Sequence, residues 1–315
     1  MPRHPLLWLS LALTTICAVY LAWGLGGPSW RFVVELRALK LAALLVVGGS
    51  VAVATVLFQT VSANRILTPS IMGFDALYVL MQTVLVAMLG LNEFVSLPLG
   101  AKFLVECAVM VAAALALFGT LLGRGGQDIA RMILTGVIFG ILFRSLAGFL
   151  GRILDPNAYA VVQSVSFASF ARVNAELLPW AAGLAAMAMA AALWLAPRLD
   201  VLALGRRTAV PLGLAHERLA LQALALVAVL VSISTALVGP VGFFGLIVTG
   251  LAHGLARTAR HAVLLPAAAL LAGLLLVGGQ TLFERVMGLQ SALSVVVEFA
   301  GGLFFLWLLL KGRVR

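Results

Sequence analysis

Apolar residues gather in ten long runs broken by short polar stretches, at about 6–24, 39–61, 71–89, 103–122, 132–150, 178–196, 219–237, 241–255, 264–280 and 293–310. Most have the roughly 17–25 residues that a helix needs to cross a hydrocarbon core of ~30 Å. The pattern predicts an all-α, polytopic membrane protein, with about ten transmembrane helices in one transmembrane domain spanning 1–315. The eighth run is too short to cross unaided, so it is expected to tilt or to be shielded by its neighbours. An even number of spans puts both termini on one side. Placing them in the cytoplasm puts 13 of the 21 Lys and Arg residues inside, which is the sign that insertion favours.

Two features refine that pattern. In the second run, Gly48, Gly49, Ser50, Ala52 and Ala54 are small enough for helix backbones to approach closely, which assigns this helix to the bundle interior. Its far end carries Gln59 and Asn64, and Pro69 prevents simple helical continuation. Gln59 is then either a hydrogen bond within the bundle or part of a gate. Later, Gly239-Pro240-Val241-Gly242-Phe243-Phe244-Gly245 is too rich in glycine and proline for helix interior. A tight turn is expected to lead there into the short eighth span.

Composition agrees with a membrane class. A chain that is 63% hydrophobic and 10% charged cannot solvate a globular surface. The net charge of +10 sits in short loops with no basic stripe, so no nucleic-acid partner is expected. Cys17 and Cys107 lie inside apolar runs, too sparse for a disulfide framework, and the four histidines lack ligand spacing, so no metal site is expected. The first run is longer than a signal core and lacks a good cleavage site, so it reads as a retained span.

The polar breaks hold the candidate chemistry. Residues 200–218, DVLALGRRTAVPLGLAHER, combine short apolar stripes (Leu202, Leu204, Ala209, Leu212) with Arg206, Arg207, His216 and Arg218. Gly205 and Gly213 are expected to end two very short helices. Such a segment is either a solvated basic loop or a surface that another protein pushes. Arg37 and Lys40 share one helix face at the outer entrance of the second span, where snorkelling and partner docking are both open. Arg144 lies inside a span, where an unpaired charge costs at least ~2.5 kcal/mol, so it must snorkel, pair or face a wet cavity. In the break at 151–177, Asp155 and Pro156 read as the cap and first residue of a helix, with Val161, Val165, Phe167 and Phe170 along the outer membrane surface.

Missing chemistry narrows the mechanism. No G-x-x-x-x-G-K-[ST] loop is present, and none of the three lysines follows a glycine, so this chain is not expected to hydrolyse ATP. Glu106 and Glu298 are the best candidates for the buried acids of an ion-coupled transporter, and both sit in outer parts of their spans. No nucleophile–base cluster suggests a membrane enzyme.

The pattern L-x-L-G-x-x-x-A-x-x-L-G over 202–213 resembles the coupling segment of the iron-siderophore and vitamin B12 family of ABC-importer permeases, and the resemblance runs from about residue 37 to 311. It implies that Leu202, Leu204, Gly205, Arg206, Ala209, Leu212 and Gly213 seat in a groove on a cytoplasmic ABC ATPase. Phe58, Gln59, Asn64, Leu67 and Pro69 match the family's gate pattern, in which Arg65 replaces a proline. Arg37 and Lys40 match its basic docking positions for a periplasmic or lipid-anchored siderophore-binding protein, with Arg285 as a third contact. Gly239, Pro240, Gly242 and Gly245 match its turn signature, after which Thr249 and Gly250 stand in place of proline and histidine. The chain is therefore expected to be the permease of an inner-membrane importer for a ferric siderophore, in the branch serving catecholate-type chelators. It would pair with an identical or homologous second permease within membrane lipid. ATP and Mg would be bound by the ATPase, with no cofactor in this chain. Arg144 would line the path and favour an anionic chelate. The alternatives are cobalamin or haem import, or proton-coupled secondary transport.

Overall fold

The computed structural model describes residues 5–26, 30–123, 129–288 and 293–310. Within these residues twelve α-helices follow one another: α1 (Pro5–Ala22), α2 (Trp30–Ser62), α3 (Phe74–Ser96), α4 (Leu99–Gly123), α5 (Ile129–Gly151), α6 (Pro156–Val165), α7 (Leu177–Leu202), α8 (Arg206–Ala209), α9 (His216–Val238), α10 (Phe244–Ala256), α11 (His261–Thr281) and α12 (Leu293–Leu310). Among the described residues, eight helices are long and apolar enough to cross a membrane, and the apolar segments in α10 and α12 are shorter. The chain is a multi-pass membrane protein. Arg3, Arg124, Lys311, Arg313 and Arg315, expected on the cytoplasmic side, lie outside the described residues.

The small-residue helix lies where expected. From Val47 to Gln59 every residue of α2 is buried, and α2 packs against α7, α9, α10 and α11. A Cβ on Gly48 would lie 3.0 Å from the Leu276 side chain, so glycine there sets the α2–α11 spacing. Around this centre α1 lies on α11, α4 on α9, and α3 on α5 and α6. The outward faces are apolar, with Trp8 and Leu11 on α1 and Ile138 and Ile141 on α5 exposed, which suits contact with lipid.

Several boundaries differ from the hydropathy pattern. With 33 residues, α2 is roughly 50 Å long and projects beyond the hydrocarbon. It starts before the apolar run because polar residues such as Arg31 and Glu35 end hydrophobicity without ending a helix. For the same reason α7 continues past Pro197 to Leu202, so Asp200 stands in its last turns rather than in a loop. Asp155 caps α6 as expected, accepting from the Asn157 N–H at 3.0 Å, with Pro156 in the first turn. The membrane-surface assignment of 161–170 is corrected at Phe170, which is 6% exposed and part of the core, while Phe167 stays exposed.

Candidate functional site

Two neighbouring groups of residues occupy the end of the bundle where α2 and α7 finish, called here the Asp200 end. In the first, Ala63 takes a left-handed conformation (φ 48°) that stops α2. Asn64 then folds an Asx turn, its Oδ1 accepting from the Ile66 N–H at 3.0 Å. The Gln59 amide closes the loop from below: Nε2 donates to the Arg65 carbonyl at 2.6 Å and to Thr249 Oγ1 on α10 at 3.0 Å. Thr249 in turn donates to the Gly245 carbonyl at 2.9 Å. Phe58 is fully buried beneath. The Arg65 side chain is exposed, and its carbonyl is held by Gln59, so a hydrogen bond fixes the loop where a proline was expected. Pro69 opens a 3-10 turn that ends at Gly73 (φ 90°). A Cβ on Gly73 would lie 2.6 Å from the Gly140 Cα, so the turn is seated directly on α5.

From this turn a cavity of about 710 Å³ extends to α6, lined by Ser70, Asp75, Arg144, Gln163, Gly242 and Glu298 among others. Arg144 does face a cavity. However, Asp75 and Glu298 share it, so the arginine does not make it a net-positive conduit, and the expected preference for an anion loses its basis.

The glycine–proline turn forms one wall. Gly239 (φ 99°) runs so close to the 167–168 backbone that a Cβ would be 3.1 Å from the Phe167 carbonyl oxygen, and the Ser169 N–H donates to Val238 O at 2.7 Å. A Cβ on Gly242 would be 3.1 Å from Glu298 Oε1, and one on Gly245 only 2.2 Å from Thr55 Oγ1. Pro240 lines the cavity. Gly250 faces Phe304 of α12, whose ring lies 3.0 Å from where a Cβ would be.

The second group is the 203–215 segment. It forms one short helix, α8, and not the expected pair: Gly205 (φ 82°) precedes α8 rather than ending a helix, and Gly213 (φ 83°) closes a turn leading into α9. Leu202 and Ala209 are buried anchors, whereas Leu204, Val210 and Leu212 are 57%, 47% and 64% exposed. Arg206 pairs with Glu217 of α9 at 2.9 Å, both half exposed, so the bond contributes at most ~1 kcal/mol and serves mainly to orient α8. Just upstream, Asp200 Oδ1 accepts from both the N–H and Nδ1 of His261, each at 2.7 Å, and His261 Nε2 lies 2.7 Å from Thr60 Oγ1.

At the opposite end, Arg37 is buried and donates to the carbonyls of Leu21 and Trp23, at 2.8 Å each. It thus satisfies one carbonyl in the last turn of α1, Leu21, and one just beyond the helix, Trp23. Lys40 is paired with Glu284, which also accepts from Gln280 and Tyr20. Arg285 lies beside them, with a buried Nε. The three basic residues do come together, but Arg37 and Lys40 are engaged inside the protein.

The comparisons agree with this architecture. Residues 8–311 match the model of the FecCD transport family. The chain belongs to that family. It is 39% identical to the petrobactin import system permease protein YclO of Bacillus subtilis (strain 168), over 96% of each chain. It is 31% identical to the petrobactin import system permease protein FatC of Bacillus anthracis, over 91% of this chain and 81% of that one. The fold is also that of a solved structure described as a metal-chelate type ABC transporter in an inward-facing conformation, with TM-score 0.81, 24% identity and 98% of both chains covered.

Within this FecCD chain, sequence reasoning missed Asp75, Val210, Thr249, Thr60 and His261 as site residues. Val210 could have been found as an apolar residue in a polar break. Thr249 was marked as a departure from the turn signature but not as a site residue, because its bond to Gln59 joins helices distant in sequence; the same distance hid Asp75, Thr60 and His261.

Proposed function

We propose that this chain is the permease of an inner-membrane ABC importer that carries a ferric siderophore, with the Asp200 end facing the cytoplasm. The observation that carries the proposal is the near full-length likeness to permeases of petrobactin import. In this reading the exposed Leu204, Val210 and Leu212 enter a groove on a separate ATPase subunit, which binds ATP and Mg. The 63–73 segment is the cytoplasmic gate, held by Gln59. The cavity lined by Asp75, Arg144 and Glu298 is one wall of the path, completed by a second permease, identical or homologous. A siderophore-binding protein docks at the Arg37 end, where Lys40, Glu284 and Arg285 form a charged cluster.

The test is radioactive-iron uptake in a deletion strain complemented with this chain, across ferric siderophores, haem and cobalamin. Uptake of one ferric siderophore that survives proton uncoupling and stops on ATP depletion is expected. Uptake of haem or cobalamin alone would replace the cargo. Loss on uncoupling with ATP maintained would overturn the ATP-driven mechanism.

A further inference from the structure

We infer that Asp200, His261 and Thr60 form a polar relay that carries movement of the α8 segment to the gate loop, with His261 as its positioning residue. This rests on the importer reading above. Three helices meet at a single imidazole. Asp200 lies in the last turns of α7, five residues before Gly205, and its carboxylate accepts two hydrogen bonds from His261, the first residue of α11. Through the backbone bond, Asp200 caps α11 from another helix, where a carboxylate meets the positive end of the dipole. Arg260, the residue at the capping position, makes no side-chain cap of its own.

Capping alone does not account for the ring. Its opposite nitrogen, Nε2, reaches Thr60 of α2 at 2.7 Å. Thr60 adjoins the gate fastener Gln59 and accepts the Ala63 N–H at its own carbonyl, 3.3 Å away. Asp200 fixes Nδ1 as a donor, and Nε2 lies within hydrogen-bond reach of Thr60 Oγ1, which itself donates to the Val56 carbonyl at 2.8 Å, so the chain of bonds continues into the backbone of α2. The imidazole is rigid and only 2% exposed, while Asp200 remains about one-third exposed at its outer edge. A displacement of the end of α7 therefore passes along two bonds to the last turn of α2, from which the gate loop departs. Apolar packing between the same helices is not directional and transmits sliding poorly.

The experiment reconstitutes the permease complex with its ATPase and binding protein in proteoliposomes, and measures ATP hydrolysed per ferric chelate delivered. Thr60→Val removes the hydroxyl at nearly constant volume. His261→Asn keeps a donor at the position of Nδ1 and removes the group that meets Thr60. Both variants are expected to retain assembly and basal ATPase activity while ATP used per chelate rises about three- to twenty-fold, the worth of one intramembrane hydrogen bond. Thr60→Ser and Asp200→Asn, which keep the bonding groups, are expected to couple like wild type. Unchanged stoichiometry in both Thr60→Val and His261→Asn would overturn the relay, as would an equal loss in Thr60→Ser. Absence of ATP-driven chelate uptake by the wild-type complex would instead remove the importer reading.

Discussion

The Gln59 amide on α2 donates to the Thr249 hydroxyl on α10 at 3.0 Å, while its second hydrogen holds the Arg65 carbonyl at 2.6 Å. One buried side chain thus ties the 63–73 loop to the short helix that follows the glycine–proline turn. The substitution of Thr249 for a proline then has a physical role, because proline could neither accept this bond nor return one to Gly245.

Thr249→Val keeps the volume and removes the bond. An interhelical hydrogen bond in a membrane contributes about 0.6–1.7 kcal/mol, so the conformation in which Gln59 holds the 63–73 loop is expected to lose about three- to twenty-fold in population. Thiol labelling of Asn64→Cys, in a background without Cys17 and Cys107, should accelerate by that factor without nucleotide. Thr249→Ser should label like wild type.

Gly245→Ala places a methyl 2.2 Å from Thr55 Oγ1, an overlap that forces α2 and α10 apart. Overpacking of this kind costs about 1–3 kcal/mol, read as a lower melting temperature and loss of uptake. Thr55→Ala removes the hydroxyl, and the double variant should recover most of the loss. A simple sum of the two single effects would show that the contact is unimportant.

Leu204→Asp and Leu212→Asp should leave membrane abundance unchanged, since both residues are more than half exposed. Burying one leucine at an interface is worth about 1.5–3 kcal/mol. Each change is therefore expected to weaken ATPase association by about ten- to 150-fold, measured as a Kd in detergent or nanodiscs. Ala209→Asp should instead lower abundance, because Ala209 is fully buried.

Arg37→Ala removes a charged donor from the carbonyls of Leu21 and Trp23 at the end of α1 and should lower the melting temperature of the purified permease. Hydrogen bonds to a charged group contribute about 1.5–3 kcal/mol each, and Arg37→Lys should recover part of the loss. An unchanged melting temperature with weaker binding of the siderophore-binding protein would return Arg37 to a docking role.

The α8 segment shows what local pattern can and cannot convey. Its apolar and glycine positions are visible in residues 200–218, and so is its place between two spans. Which leucines serve as anchors was not. Leu202 and Ala209 turn inward and Leu204 and Leu212 outward because α7 runs on to Leu202 and Gly205 reverses the chain. That depends on how α7 packs against α9, most of which lies outside the segment.

By itself the sequence determined the class: ten apolar runs, a polar break shaped like a partner surface, a glycine–proline turn and small residues along α2. Those properties follow from hydrophobicity and backbone stereochemistry, which act over a few residues and need no neighbours. Only the tertiary structure decided that Arg37 is spent on α1, that Arg144 shares its cavity with Asp75 and Glu298, and that Asp200, His261 and Thr60 meet. A buried polar group must find a partner, and in a bundle of long helices that partner can be tens to hundreds of residues away. The requirement is written in each residue, whereas the choice of partner is made by the packing.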